Sequence, residues 1–122
     1  MFDKIYAVCL LVENYKKSLS FYNDILEFKI NSQDKNYTDF KVGDTLFAIF
    51  EKKEAEVMFP GRHMNKGGGA VIAFPVGNVD EICKLLNGKG VRIFEGPKVM
   101  PWGQKVAYFK DPDNNIIEVT ED

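Results

Sequence analysis

The chain has 122 residues, of which 45% are hydrophobic and 28% are charged, and its net charge at pH 7 is −2. A chain of this length can bury the core of one domain without disulfide or metal staples. Charges of both signs are spread along the sequence, which therefore lacks the basic stripe of a nucleic-acid-binding protein. We expect a single globular domain that does not bind nucleic acid.

The N-terminal stretch and the two cysteines bear on location. Residues 1–14 are apolar only briefly and lack the basic start and long apolar core of a secretory signal. No run approaches the roughly 18 apolar residues of a membrane span. Cys9 and Cys83 lie far apart and outside any metal-binding spacing, which favours two free thiols. We expect a cytoplasmic protein with no membrane partner.

The first half of the sequence predicts a strand, a helix and three more strands. Residues 4–12 form a β-rich run that is apolar enough to be buried on both faces. Asn14 is placed to cap a helix from Tyr15 to about Leu26. The apolar stripe of this helix, at helical spacing, comprises Tyr15, Leu19, Tyr22 and Leu26. The three strands follow at residues 28–33, 36–42 and 45–51.

The second half repeats this pattern after an irregular segment. Residues 52–68 have no periodicity and predict a linker or loop, long enough to act as a lid. A strand at residues 69–76 then leads to a helix capped by Asn78. The apolar stripe of this helix comprises Val79, Ile82, Cys83 and Leu86. The last three strands are predicted at residues 91–95, 105–110 and 115–121.

Both halves therefore have the order strand, helix, strand, strand, strand. A shift of 64 residues aligns residues 7–14 with residues 71–78. One such module leaves a curved sheet with an uncovered face, and pairing two modules is a natural way to bury it. The predicted architecture is α+β, with two tandem βαβββ modules (residues 1–51 and 69–122) forming a curved mixed sheet around a cleft.

Three features of the sequence resemble the vicinal oxygen chelate superfamily of glyoxalases, bleomycin-resistance proteins and extradiol dioxygenases. Residues 10–30 look like the first strand and helix of this family, with a Ser-x-x-Phe-Tyr signature that begins at Ser18. Residues 96–121 are similar to its final hairpin, with a Phe-x-Asp-Pro-Asp-x-Asn turn. The duplicated order of elements covers essentially the whole chain. Glu27 departs from the family pattern, which more often has a helix-terminating glycine there, so we expect a local difference in that turn.

The resemblance also implies where a metal would be held. Metal-using members place His or Glu ligands at four equivalent strand positions, and the divalent metal polarises a substrate oxygen. In this sequence the four positions fall on Ala7, Ala48, Val71 and Glu118. Only Glu118 is a ligand type, because a methyl group has no lone pair to offer a cation. We therefore expect no metal cofactor, and Ni, Zn, Mn or Fe only through an atypical or intersubunit site.

The same matching predicts the lining of a cleft. Side chains alternate along a strand, so residues two positions away should share the cleft with the four matched residues. The expected lining is apolar with one carboxylate, and comprises Ala7, Cys9, Leu11, Leu46, Ala48, Phe50, Val71, Ala73, Pro75, Ile116, Glu118 and Thr120. Tyr108 and Trp102 would add aromatic walls, although Trp102 would equally well cover the end of the sheet. Such a pocket suits a small organic ligand.

Two residues keep more than one interpretation. A charged Glu118 calls for a cation from the protein or the ligand, whereas a carboxylate bonded only to backbone or water would be an ancestral remnant. His63 is the only histidine and occupies none of the matched positions. We expect it to be a surface loop residue, with a lid residue or a ligand that reaches across a dimer as the alternative.

Three hypotheses of function follow. The first is a metal-independent protein that binds a small aromatic or cationic molecule, as in antibiotic sequestration or ligand sensing. The second is a divalent-metal-dependent lyase, isomerase or dioxygenase of the same superfamily with an atypical or intersubunit site. The third is a domain without a ligand. By analogy with proteins of this size in the family, we expect a homodimer.

Overall fold

A computed structural model describes residues 1–121 and divides the chain into two compact units, which we call module one (Met1–Asn65) and module two (from Lys66). Each module contains one four-stranded mixed sheet and its own helices. The predicted architecture of two tandem βαβββ modules is confirmed. Within residues 1–121, no helix is long and apolar enough to span a bilayer.

Module one begins with strand β1 (Ala7–Val12) and helix α1 (Tyr15–Leu19), which continues as a π-helix (Ser20–Ile25). The remaining strands are β2 (Ile30–Asp34), β3 (Tyr37–Val42) and β4 (Thr45–Glu51). The strand order is β1-β4-β3-β2, with β1 parallel to β4 and the other pairs antiparallel.

Strand β1 differs from its prediction in length and in burial. It begins at Ala7, and only one of its faces is covered: Val12 is buried, whereas Ala7 and Cys9 are exposed. The expectation of a strand buried on both faces was wrong. The reason is that the helical segment packs on the opposite face of the sheet, where Tyr22 meets Phe47 of β4.

The helical segment begins as predicted and then changes period. The side chain of Asn14 accepts a hydrogen bond from the backbone N–H of Lys17 at 3.0 Å, which caps the helix. From Ser20 the turns widen to the π form instead of continuing as one α-helix to Leu26. Tyr22 in this stretch is fully buried. Its ring lies between 5.2 and 6.4 Å from those of Phe28, Phe40 and Phe47. Such tertiary packing overrides the local helical period.

The turn after this helix has a glycine-like backbone without a glycine. Glu27 adopts a left-handed φ of +62°. Glycine is usual at such a helix end because it has no Cβ to crowd the backbone. The turn therefore keeps the left-handed backbone conformation of the family pattern. It differs in having a side chain at this position and the steric strain that a Cβ causes there.

The segment predicted as a linker contains two short helical pieces. Helix α2 (Lys52–Ala55) follows β4 directly, and its last residue, Ala55, is fully buried. A 3₁₀ turn follows at Gly61–His63. His63 is exposed on this turn, with its ring 6.4 Å from that of Phe59.

Module two repeats the order of module one. It consists of β5 (Val71–Pro75), α3 (Val79–Gly88), β6 (Ile93–Val99), β7 (Lys105–Lys110) and β8 (Ile116–Glu121), in the strand order β5-β8-β7-β6. Asn78 caps α3 as predicted, since its side chain accepts from the N–H of Glu81 at 3.0 Å. Val79, Cys83 and Leu86 are buried on one side of α3.

The acidic turn before β8 is held by its own first residue. Oδ1 of Asp111 accepts hydrogen bonds from the backbone N–H groups of Asp113 at 2.9 Å and Asn115 at 2.8 Å. Gly67 lies against this turn so closely that a Cβ there would clash with the side chain and the backbone nitrogen of Asn115. The Asp-Pro-Asp sequence therefore serves to shape the turn.

Candidate functional site

Each sheet has one face packed on its helix and a second face, which we call its open face. In module one the strand register places Ala7, Cys9, Leu11, Leu46, Ala48 and Phe50 on the open face, together with Tyr37, Asp39 and Lys41 of β3. In module two the corresponding residues are Val71, Ala73, Pro75, Ile116, Glu118 and Thr120, together with Val106, Tyr108 and Lys110 of β7. The register thus divides the predicted strand residues into one set for each module.

Glu118 lies at the centre of the open face of module two. Its ladder partners are Ala73 on one side and Tyr108 on the other. The hydrogen bond to the Glu118 carboxylate raises the pKa of the Tyr108 hydroxyl, and burial and the negative charges of Glu118 and Glu95 act in the same direction. Tyr108 is therefore protonated at neutral pH, and its hydroxyl donates a hydrogen bond to the Glu118 carboxylate.

An aromatic ring that the sequence did not indicate stands beside this pair. The ring of Phe94 lies 6.2 Å from that of Tyr108, with 37° between their planes, and Phe94 is 41% exposed. The ammonium of Lys110 lies 5.3 Å from the centre of the Phe94 ring. Phe94 was missed because strand alternation does not hold through β6, whose register shifts on both sides of Glu95. The Gly-Pro that follows was the available signal for such a bulge.

Trp102 lies elsewhere in module two. It sits in the turn between β6 and β7, is 68% exposed, and donates from Nε1 to Oε1 of Gln104 at 3.0 Å. Its ring is therefore largely open to solvent. Tyr108 bonds to the Glu118 carboxylate, and Phe94 is the aromatic neighbour of Tyr108.

Module one contains a carboxylate that sequence reasoning also missed. Asp39 lies in the middle of β3, opposite Ala48, and is only 6% exposed. The Tyr37 hydroxyl donates to its Oδ2 at 2.8 Å, and Nδ2 of Asn31 donates to its Oδ1 at 2.9 Å. Asn31 belongs to a β-bulge between Ile30 and Ser32 in β2, the edge strand beside β3. An acid inside a strand was a signal in itself, because aspartate is depleted there.

The hydrogen bonds fix the charge state of this network. Burial raises the pKa of Asp39, but hydrogen bonds from Asn31, Tyr37 and Ser32 outweigh it, and the pKa lies below the ordinary value. For Tyr37, burial, the hydrogen bond to Asp39 and the Asp39 charge raise the pKa to about 12. At neutral pH Asp39 is therefore ionised and Tyr37 is protonated.

The positions matched to metal ligands do not fit a divalent metal. Ala7, Ala48 and Val71 have no donor atom in their side chains, and the ladder neighbour of Glu118 on β5 is Ala73. Across residues 1–121, no three His, Cys, Asp or Glu side chains are grouped so that they could hold a metal ion. One carboxylate is a weak site for such a cation.

Comparisons with known proteins address the family. A model described as a glyoxalase-like domain matches residues 5–122. The uncharacterized protein YraH of Bacillus subtilis is 31% identical over 123 residues, which cover 95% of this chain and 96% of that protein. The metallothiol transferase FosB of Staphylococcus saprophyticus is 30% identical over 124 residues, which cover 98% of this chain and 77% of the relative.

Solved structures share the fold. A glyoxalase-related enzyme from Fulvimarina pelagi has a TM-score of 0.88 at 15% identity and covers 99% of this chain and 89% of its own. A lactoylglutathione lyase from Agrobacterium tumefaciens has a TM-score of 0.78 at 20% identity, with coverage of 99% and 95%. At these identities the likeness is one of fold alone.

Proposed function

Because the chain belongs to the glyoxalase-like domain family, we propose that it is a metal-independent binding protein for a small aromatic cation. The observation that carries the proposal is the Tyr108–Glu118 pair on the open face of module two, with the Phe94 ring beside it. This constellation offers a carboxylate, a phenol oxygen and an aromatic surface to one ligand.

Each group has a defined part in binding. Glu118 uses one of its acceptor sites for Tyr108 and keeps the others for N–H groups of a ligand. The Phe94 ring offers a face to a cation, and the ammonium of Lys110 already lies 5.3 Å from its centre. Val71, 52% exposed, and Ala73, also exposed, provide apolar surface next to Glu118 for the body of the ligand.

The biological role that fits such binding is sequestration of an antibiotic or sensing of a small molecule. Sequestration needs affinity and selectivity but no reaction at the site. The lack of metal-donor atoms at Ala7, Ala48 and Val71 is compatible with that requirement. We further propose that the protein acts in the cytoplasm as a homodimer, as family members of this size commonly do.

A thermal-shift experiment tests the proposal. Aromatic ammonium compounds should raise the melting temperature in a saturable manner, whereas matched neutral and anionic aromatics should not. Glu118→Gln removes the charge but keeps the shape of the side chain. It should weaken the binding of the ammonium compounds by about tenfold or more. Equal shifts for cationic and neutral aromatics, or an unchanged response in Glu118→Gln, would contradict the proposal.

An enzyme of the same superfamily is the second candidate, favoured by the similarity to a protein named metallothiol transferase. Metal analysis of the purified protein separates the two candidates. Stoichiometric Ni, Zn, Mn or Fe that disappears in Glu118→Gln would support the enzyme and overturn metal-independent binding.

A further inference from the structure

Module one has a polar network of its own that the proposed function does not use. Tyr37 and Asp39 lie two residues apart on β3, and the Tyr37 hydroxyl donates to the carboxylate at 2.8 Å. The ladder partner of Tyr37 is Phe50, whose ring stands perpendicular to that of Tyr37 with the ring centres 5.5 Å apart. The two rings form an aromatic corner directly beside the buried carboxylate.

Within the described residues, the carboxylate of Asp39 has no salt-bridge partner, and Lys41 is the nearest lysine on its face of β3. The donors to Asp39 are neutral groups of Asn31, Ser32 and Tyr37. Neutral donors can keep a buried carboxylate ionised, but its negative potential then extends to the adjacent surface of the sheet.

The network also determines what Tyr37 offers to a ligand. Its only hydroxyl proton is donated to Asp39, so the phenol oxygen is left with lone pairs that accept hydrogen bonds. Donation to a carboxylate polarises the phenol and strengthens it as an acceptor. A positively charged N–H donor can both donate a hydrogen bond to the Tyr37 oxygen and be attracted by the negative potential of Asp39. A quaternary ammonium has no N–H, so it is attracted by the potential but donates no hydrogen bond.

We propose that the Tyr37–Asp39 pair forms a second ligand site, on the open face of module one, for a primary ammonium group attached to an apolar or aromatic body. The ammonium donates to the Tyr37 oxygen, and the body lies against the ring of Phe50. Asp39 is a positioning residue that orients the phenol and supplies the charge. This site is built from residues of module one alone.

A purely structural role for the network makes a different prediction. The bonds from Asn31 and Ser32 attach the exposed edge strand β2 to β3, and this attachment stabilises the sheet whether or not a ligand binds. In that case changes at Tyr37 or Asp39 alter stability and leave the binding of ammonium compounds unchanged. Binding, measured separately from stability, therefore distinguishes the two roles.

Cys9 provides a reporter for this face. It is exposed and lies on the same ladder row as Ala48 and Asp39, whereas Cys83 is on the buried side of α3. The rate at which a thiol reagent modifies Cys9 is measured with increasing benzylammonium, and then with benzyltrimethylammonium. Cys9→Ser identifies the signal, since it removes the reactive thiol. Burial raises the pKa of the Cys9 thiol, so the assay is run in mildly alkaline buffer.

We expect benzylammonium to protect Cys9 in a saturable manner and benzyltrimethylammonium to protect it only weakly. In Tyr37→Phe the apparent affinity for benzylammonium should fall by about tenfold or more. Asp39→Asn should lower the apparent affinity to a similar extent if the variant folds. If it does not fold, the result for Tyr37→Phe decides the test by itself. Glu118→Gln should leave the protection unchanged even if it abolishes binding at module two.

Three results would overturn the second site. The first is an absence of Cys9 protection in the native protein at millimolar benzylammonium. The second is equal protection by the primary and the quaternary compound. The third is protection that survives in folded Tyr37→Phe but disappears in Glu118→Gln, which would assign the ammonium site to module two alone.

Discussion

The hydroxyl of Tyr37 donates a 2.8 Å hydrogen bond to Oδ2 of Asp39, two residues further along the same strand. Alternate residues of a strand point to one face, so both groups lie on the open face of module one. In module two an equivalent pair of groups, Tyr108 and Glu118, is formed from neighbouring strands. The duplicated fold thus carries a carboxylate with a tyrosine donor in each half, built from different positions.

The lowered pKa of Asp39 predicts a pH-dependent stability. A carboxyl group whose pKa is lower in the folded state stabilises the fold above its ordinary pKa of 3.8, and this contribution is lost as the pH falls through the folded-state pKa. At neutral pH, Asp39→Asn should lower the free energy of unfolding by about 1–3 kcal/mol. In strongly acidic buffer the difference should shrink.

Urea denaturation of both proteins across this pH range measures the effect. Asp34→Asn is the matched control, because Asp34 is exposed on β2 and accepts a local hydrogen bond from the neighbouring backbone N–H of Lys35. It should change stability by less than about 0.5 kcal/mol. A difference between native protein and Asp39→Asn that is constant with pH would show that the carboxylate is not held ionised.

The Tyr108–Glu118 hydrogen bond predicts a shift in the titration of one tyrosine. In Glu118→Gln the acceptor charge is lost, so the pKa of Tyr108 should fall towards its ordinary value of 10.0. Tyr37 in module one should keep its pKa of about 12 and serves as an internal control. NMR of ring-labelled tyrosine resolves the two residues. A Tyr108 titration that does not move would mean that another group raises its pKa.

Strain at the end of the first helical segment predicts that glycine is preferred to alanine at position 27. Glu27 has a φ of +62°, which glycine adopts without the steric cost of a Cβ. Glu27→Gly should be more stable than Glu27→Ala by about 1 kcal/mol. The comparison with alanine removes the contribution of the glutamate side chain from both variants. Chemical denaturation measures the difference, and equal stability of the two variants would argue against a strained φ.

A close approach between strands predicts a destabilising substitution at Gly96. This residue of β6 has a φ of +89°, and a Cβ there would lie 2.6 Å from the carbonyl oxygen of Val106. Gly96→Ala should therefore cost about 2–4 kcal/mol, from backbone strain together with the clash. Gly103→Ala is the control, with a φ of +101° and open space around it. It should cost only the strain, about 1 kcal/mol. Equal losses in thermal unfolding would contradict the clash.

Local chemistry made much of the fold predictable. Asn14 and Asn78 cap their helices through hydrogen bonds that span three residues, so the signal is contained in a short window. The turn at Asp111 is likewise closed by bonds within five residues. The repeated order of strands and helix needs only periodicity and chain order. For these features the sequence by itself was sufficient.

The tertiary structure decided the remainder. The π-helical turns around Tyr22 pack against rings that are distant in sequence. The bulges in β2 and β6 break strict alternation, and with it the rule that would place Asn31 and Phe94 on a face. Glu118 was predicted to be a cleft residue from a family pattern. Asp39 was recognised only from the strand register, which sets it opposite Ala48. Which side chains meet across a sheet depends on strand pairing, and pairing is fixed by the packing of the whole module.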